Sequence, residues 1–109
     1  MSLLPKRGEI WLTRLDPTEG NELRKTRPCL VVTPDTMNRI LGTVTVMPIT
    51  SGSRPMPFRI STDFRGIPGL LLGDQIRSVA KSRLLKRLDL ADEKTLADAL
   101  AVLRDMFEE

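Results

Sequence analysis

At 109 residues, 40% of them apolar and 28% charged, the chain is long enough to bury one domain core and too apolar to be disordered. No run of ~18 apolar residues offers a membrane span, and the N-terminal Met1-Ser2-Leu3-Leu4-Pro5-Lys6-Arg7 lacks the apolar stretch and cleavage pattern of a signal peptide. The net charge of +3 is divided unevenly: residues 1–88 hold 15 Lys/Arg against 7 Asp/Glu and residues 89–109 hold 2 against 7, so a basic body suited to a polyanion precedes an acidic end.

Two absences narrow the chemistry. There is no histidine, so acid and base for any catalysis must come from arginine, lysine, carboxylates or hydroxyls. The lone Cys29 has no partner for a disulfide and sits in an apolar run, which reads as a small buried hydrophobe in a reducing, cytoplasmic setting. Cys/His clusters, a glycine-rich phosphate loop and a dinucleotide fingerprint are all missing, and no cofactor or metal is expected.

Taken in chain order, Gly8 to Leu15 alternates loosely and predicts a first strand, closed by the turn pair Asp16-Pro17. Residues 18–26 form a polar loop around Gly20, with Glu19, Glu22, Arg24 and Lys25, that buries little and is expected to be mobile. A second strand runs between Pro28 and Pro34, its Leu30-Val31-Val32 buried on both faces. Asp35 to Leu41 predicts one turn of helix, with Asp35 as N-cap and Gly42 as the stop. Thr43 to Met47 alternates as a third strand, and Pro48 predicts an edge or a bulge before Ile49-Thr50.

A Ser/Gly/Pro/Arg loop spans 51–57, Phe58 to Ser61 is a fourth short strand, and a connection punctuated by Gly66, Pro68 and Gly69 follows. Leu70-Leu71-Leu72 leads through Gly73 into a strand over 74–79, which would put Gln75 and Arg77 on one face. Ser82 to Leu88 predicts one more strand. The final segment is helical, with Leu96, Leu100, Leu103 and Phe107 recurring at spacings of four, three and four, and Asp92 and Glu93 in the first turn where the helix dipole favours negative charge. Short strands followed by one terminal helix describe a small barrel or half-barrel, residues 1–88, with a helix, 89–109, packed on it as a single domain. With few aromatics, Trp11 reads as core and a broad base-stacking platform is not expected.

The series Gly8-Glu9-Ile10-Trp11, Asp16-Pro17-Thr18-Glu19-Gly20, Lys25-Thr26-Arg27-Pro28, Leu30-Val31-Val32-Thr33-Pro34, Pro48-Ile49-Thr50 and Asp74-Gln75-Ile76-Arg77 resembles the MazF/PemK family of toxin endoribonucleases, from Arg7 to Phe107. The resemblance implies a mainly β fold, an SH3-like antiparallel barrel with a C-terminal helix, and a homodimer silenced by an acidic-tailed antitoxin. It also implies metal-independent cleavage of single-stranded RNA at short sequences, leaving 2′,3′-cyclic phosphate and 5′-hydroxyl ends. Arg27 matches the family's catalytic arginine and Thr50 its partner threonine. A guanidinium suits that task, because its planar fork donates bidentate hydrogen bonds to phosphate.

Glu22, Arg24, Lys25, Arg54, Arg59, Asp74, Gln75 and Arg77 form the candidate RNA-contacting set, with Glu22 and Asp74 the carboxylates within reach as proton acceptors. Some relatives carry a histidine for that role, and this chain does not. Two other readings compete: a protein-binding poison of the same fold, like the gyrase-directed CcdB toxins, acting through its C-terminal helix, and an RNA-binding module that never cleaves.

Overall fold

The computed structural model describes residues 4–15 and 25–109. Most of the polar loop expected over 18–26, including Glu22 and Arg24, therefore lies outside the described residues. The described chain is mainly antiparallel β: β1 (Glu9–Arg14), β2 (Thr26–Val31), α1 (Asp35–Ile40), β3 (Thr43–Thr50), β4 (Arg59–Phe64), β5 (Ile67–Leu72), β6 (Arg77–Ala80), β7 (Leu84–Leu90) and α2 (Glu93–Phe107). The strands lie in the order β4-β5-β3-β2-β1-β7, with β6 added to β3. The curl brings the two outer ends together, since the Arg65 guanidinium at the β4–β5 turn donates to the Leu88 carbonyl of β7. This is the barrel-like architecture with a C-terminal helix that the sequence predicts.

Period-two alternation sends neighbouring residues into two cores. Trp11, Cys29, Val31, Val44, Val46, Val79 and Leu84 share one cluster inside the curl of the sheet. Ile10, Leu30, Val32, Met47, Ile49 and Leu71 share the other, covered by α2 through Ala99, Leu96, Leu100 and Leu103. The Leu30-Val31-Val32 run is thus buried on both faces, as its composition predicts. Each such side chain taken from water contributes about 1.5–3 kcal/mol. Trp11 is core, and its indole N–H donates to buried Glu9, whose carboxylate also accepts from Arg87 and from the Lys6 amide. The helix begins on Asp92, which accepts the Thr95 amide as N-cap at 2.7 Å.

Several local expectations are corrected. Asp35 is not the cap of α1: Pro34 holds that position without a side-chain bond, and the Asp35 carboxylate instead accepts the Arg7 amide at 2.7 Å. The helix ends at Ile40, and Leu41, already extended, caps it one residue before Gly42. Pro48 neither ends nor edges β3 but sits fully buried within it, opposite Cys29. The Val32 amide donates to the Thr45 carbonyl, so odd-numbered residues of β3 turn their backbone toward β2. The Pro48 nitrogen therefore faces the other side, where β3 passes from β6, paired as far as Val46, to β5, paired from Ile49. No ladder donor is lost there.

The stretch read as a connection around Gly66, Pro68 and Gly69 is a hairpin. Arg65 and Gly66 both have positive φ, 54° and 80°, the type I′ geometry that matches strand twist, and Pro68 and Gly69 lie inside β5. Gly73 to Gln75 form a 3-10 turn, so Gln75 and Arg77 do not share a strand face. The last strand runs to Leu90, beyond the expected Leu88. Phe107 departs from its stripe and is 72% exposed, while the three leucines before it pack inward.

Candidate active site

Lys25 turns the chain into β2 with φ of +64°, a conformation that costs a non-glycine residue free energy. The bond from the Leu15 amide to the Lys25 carbonyl at 2.8 Å holds that turn against the end of β1. Arg27 follows two residues later, opposite Thr13 of β1. On its other side, β2 runs against β3 with Leu30 opposite Met47 and Cys29 opposite Pro48. Continuing that register by two residues sets Arg27 opposite Thr50, the last residue of β3. Two residues 23 positions apart are thus brought together by strand register.

Both line one open cleft of about 210 Å³. The cleft forms where β3 ends and β5 diverges from it, because the two strands pair only at Ile49–Leu71 and Thr50–Leu70. Its polar end is Arg27, Thr50 and Ser51, and its larger apolar end is formed by Ile49, Phe64, Ile67 and Pro68. Gly69 is obligatory between them: a Cβ there would lie 2.9 Å from the Thr50 carbonyl oxygen.

The two principal residues differ in how they are satisfied. The Arg27 Nε is buried and finds no hydrogen-bond partner among the described residues. An unmet buried donor costs about 1–3 kcal/mol, so it marks a position held for something other than stability. Thr50 is buried, and its hydroxyl oxygen accepts the Gly52 amide at 3.3 Å. That local turn occupies an acceptor lone pair and leaves the O–H to donate.

The other predicted residues are placed elsewhere. Arg59 makes a bidentate pair with Asp74, at 3.1 and 2.9 Å, and donates a third bond to the Arg54 carbonyl at 2.9 Å. These three tie β4, the 3-10 turn and the loop after Thr50 to one another, outside the lining of the Arg27 cleft. The Arg59 hydrogen bonds hold the Asp74 carboxyl below its ordinary value, which makes it a weak proton acceptor. Arg77 reaches from β6 to the Leu15 carbonyl at 2.9 Å, bracing the residue that follows β1. Gln75 lies on the 3-10 turn. Burial pushes the Cys29 thiol up to about 12, which removes it as a nucleophile. Among the described residues no three His, Cys, Asp or Glu side chains converge to hold a metal.

Sequence reasoning missed the apolar end of the cleft. Its signal is Phe64-Arg65-Gly66-Ile67, a two-residue turn with glycine second and apolar residues on both sides, which the neighbouring Pro68 and Gly69 mask.

Residues 6–107 match the PemK-like, MazF-like toxins of type II toxin–antitoxin systems. The chain belongs to this family. Endoribonuclease PemK of Escherichia coli is 42% identical over 104 residues, covering 90% of this chain and 78% of PemK. The crystal structure of MazF from Deinococcus radiodurans superposes with a TM-score of 0.87 at 27% identity, over 99% of this chain and all of that one. A MazE–MazF crystal structure from the same organism gives 0.80 at 25% identity, with 98% of each chain covered. The PemK/MazF barrel and terminal helix are therefore shared along nearly the whole of this toxin-family chain.

Proposed function

We propose that this PemK-like, MazF-like protein is an endoribonuclease toxin that cuts single-stranded RNA by transesterification, with Arg27 gripping the phosphate that breaks. The observation that carries this reading is that Arg27, whose buried Nε has no partner among the described residues, lines one cleft with Thr50. Arg27 as a whole is only partly buried, so the terminal N–H groups of its fork can donate to a phosphate oxygen in charge-assisted bonds, roughly twice as strong as neutral ones.

In the reaction the 2′-oxygen of the substrate attacks phosphorus and the bond to the 5′-oxygen breaks, giving a 2′,3′-cyclic phosphate and a 5′-hydroxyl. The 2′-oxygen gives its proton to solvent water, the departing 5′-oxygen takes one from Arg27, and solvent returns a proton to the guanidinium, so the net charge is unchanged. The Arg27 guanidinium neutralises charge building on the non-bridging oxygens and hands its N–H toward the leaving oxygen. Thr50 adds one hydrogen bond, worth about 2.7–4 kcal/mol by comparison with a single oxyanion donor. The positive charge that a metal supplies elsewhere comes from the guanidinium, which makes the reaction metal-independent. Asp74, engaged by Arg59, is set aside as the base and retained with Arg59, Arg54, Gln75, Lys25 and Arg77 as flanking RNA contacts.

The toxin would work in the cytoplasm as a homodimer, neutralised by an acidic-tailed antitoxin that competes for the same basic body. A protein-directed poison of this fold has no use for a guanidinium and a hydroxyl lining one cleft, and RNA cleavage is favoured on that ground.

The test is to incubate the purified protein with a long single-stranded RNA in EDTA and analyse the fragment ends. Discrete cuts ending in cyclic phosphate are expected. RNA that is bound yet stays intact would replace the nuclease with a binding module.

A further inference from the structure

Beside its cationic end, the Arg27 cleft has an apolar end that phosphate chemistry does not need. It is formed by Phe64 and Ile67, the facing pair that closes the type I′ hairpin, together with Pro68 and Ile49. Ile67 is 61% exposed, although it is a large β-branched residue on a basic body. Gly69 lies two residues along β5 from Ile67, on the same face, and its missing side chain lets β5 carry Ile67 and Pro68 close past the Thr50 backbone. Arg65 stands over the Phe64 ring at 5.2 Å but belongs to the neighbouring cavity, leaving the ring's contribution to this cleft apolar.

We propose that Phe64, Ile67 and Pro68 form a subsite for the nucleobase flanking the phosphate held by Arg27. This rests on the RNA-cleaving reading above and adds a specificity-determining contact to it. The whole cleft, at about 210 Å³, is smaller than the ~300–1,000 Å³ of drug-sized sites, in keeping with a site for part of a longer chain. These side chains carry no hydrogen-bonding groups, so they hold the base by stacking and shape, and a base edge is left to Ser51. A hydrocarbon wall adjoining a phosphate clamp matches a nucleotide, apolar at the base and anionic at the diester.

The test uses a short RNA centred on a mapped cut, and versions in which either flanking nucleotide is abasic but keeps its 2′-hydroxyl. Wild-type cleavage should fall about 5- to 100-fold for one abasic position, the range that base stacking spans. Ile67→Ala, a change at an exposed side chain, should slow cleavage of the intact RNA several-fold, yet match wild type on that abasic RNA. Binding of the 2′-deoxy, uncleavable oligonucleotide should show the same pattern independently of chemistry. Equal loss on both substrates, or no loss on either, overturns the subsite while leaving the nuclease reading intact. A wild-type protein that cuts none of these RNAs overturns both.

Discussion

Gly69 passes so close to Thr50 that any side chain at position 69 would press on the Thr50 carbonyl oxygen, with the first carbon only 2.9 Å away. The obstacle is backbone rather than a side chain that can turn aside, so β5 or the end of β3 must shift. Gly69→Ala should therefore destabilise the fold by about 1–3 kcal/mol, the usual cost of overpacking. It should also lower RNA cleavage by displacing the Thr50 hydroxyl. Urea denaturation and single-turnover cleavage of the same sample measure the two effects, and an alanine variant equal to wild type in both would contradict the contact.

Arg27 sets stability against activity. Arg27→Met keeps an unbranched side chain in the cleft and removes the unmet donor, so thermal unfolding should occur at the same or a higher temperature. Cleavage should drop by at least the ~10²–10³ typical of losing one oxyanion donor. Arg27→Lys should stay well below wild type, because an ammonium lacks the planar fork. A variant that both melts earlier and still cuts RNA would mean that the guanidinium is structural.

At Thr50 the two duties of the hydroxyl separate by substitution. Thr50→Val removes both the donor to RNA and the acceptor for the Gly52 amide, and should cost about 1 kcal/mol of stability along with a large fall in kcat. Thr50→Ser keeps the oxygen and should retain most activity. If valine and serine variants cut equally well, the hydroxyl takes no part.

The Arg59–Asp74 pair predicts an acid-side signature. Because Asp74 titrates lower in the folded protein than its ordinary 3.8, the pair's contribution is complete above that value and is lost as pH falls through the lower folded one. Asp74→Asn should be less stable than wild type at neutral pH, with the gap closing below about pH 3.8 as wild-type Asp74 gains its proton. A gap independent of pH would show that the ion pair is not its source.

Cys29 supplies a probe of opening. With its thiol at about 12 when folded, against 9.0 for an ordinary one, it should resist thiol reagents at pH 8 and react at once in denaturant. The same raised value means that stability is unaffected below pH 9.0 and declines as pH rises from there toward 12, since only the unfolded chain ionises in that window. Rapid labelling of the native protein would reveal a more open core.

Strand propensity and period made β1, β2 and the first half of β3 legible, and the leucine spacing of α2 predicted three of its four anchoring residues. Misreadings fell where local chemistry is overruled by neighbours. Proline 48 is a strand breaker when considered alone, yet its missing donor faces the gap between two partner strands. Pro68 and Gly69 read as loop residues, yet Gly69 is the one residue that allows β5 to approach Thr50. Asp35 looks like a cap until the Arg7 amide takes its carboxylate.

For the site, composition and motif order supply the residue types: an arginine before a proline at the start of an apolar strand, a threonine closing another, and no histidine to compete with them. Side-chain chemistry and the family's order of motifs are local properties, and a sequence displays them directly. Tertiary structure decided that Arg27 and Thr50 line one cleft, that Arg59 and Asp74 neutralise each other, and that Phe64, Ile67 and Pro68 border that cleft. Those outcomes depend on strand register and on where β3 changes partners, which are set by long-range packing of two cores against one helix.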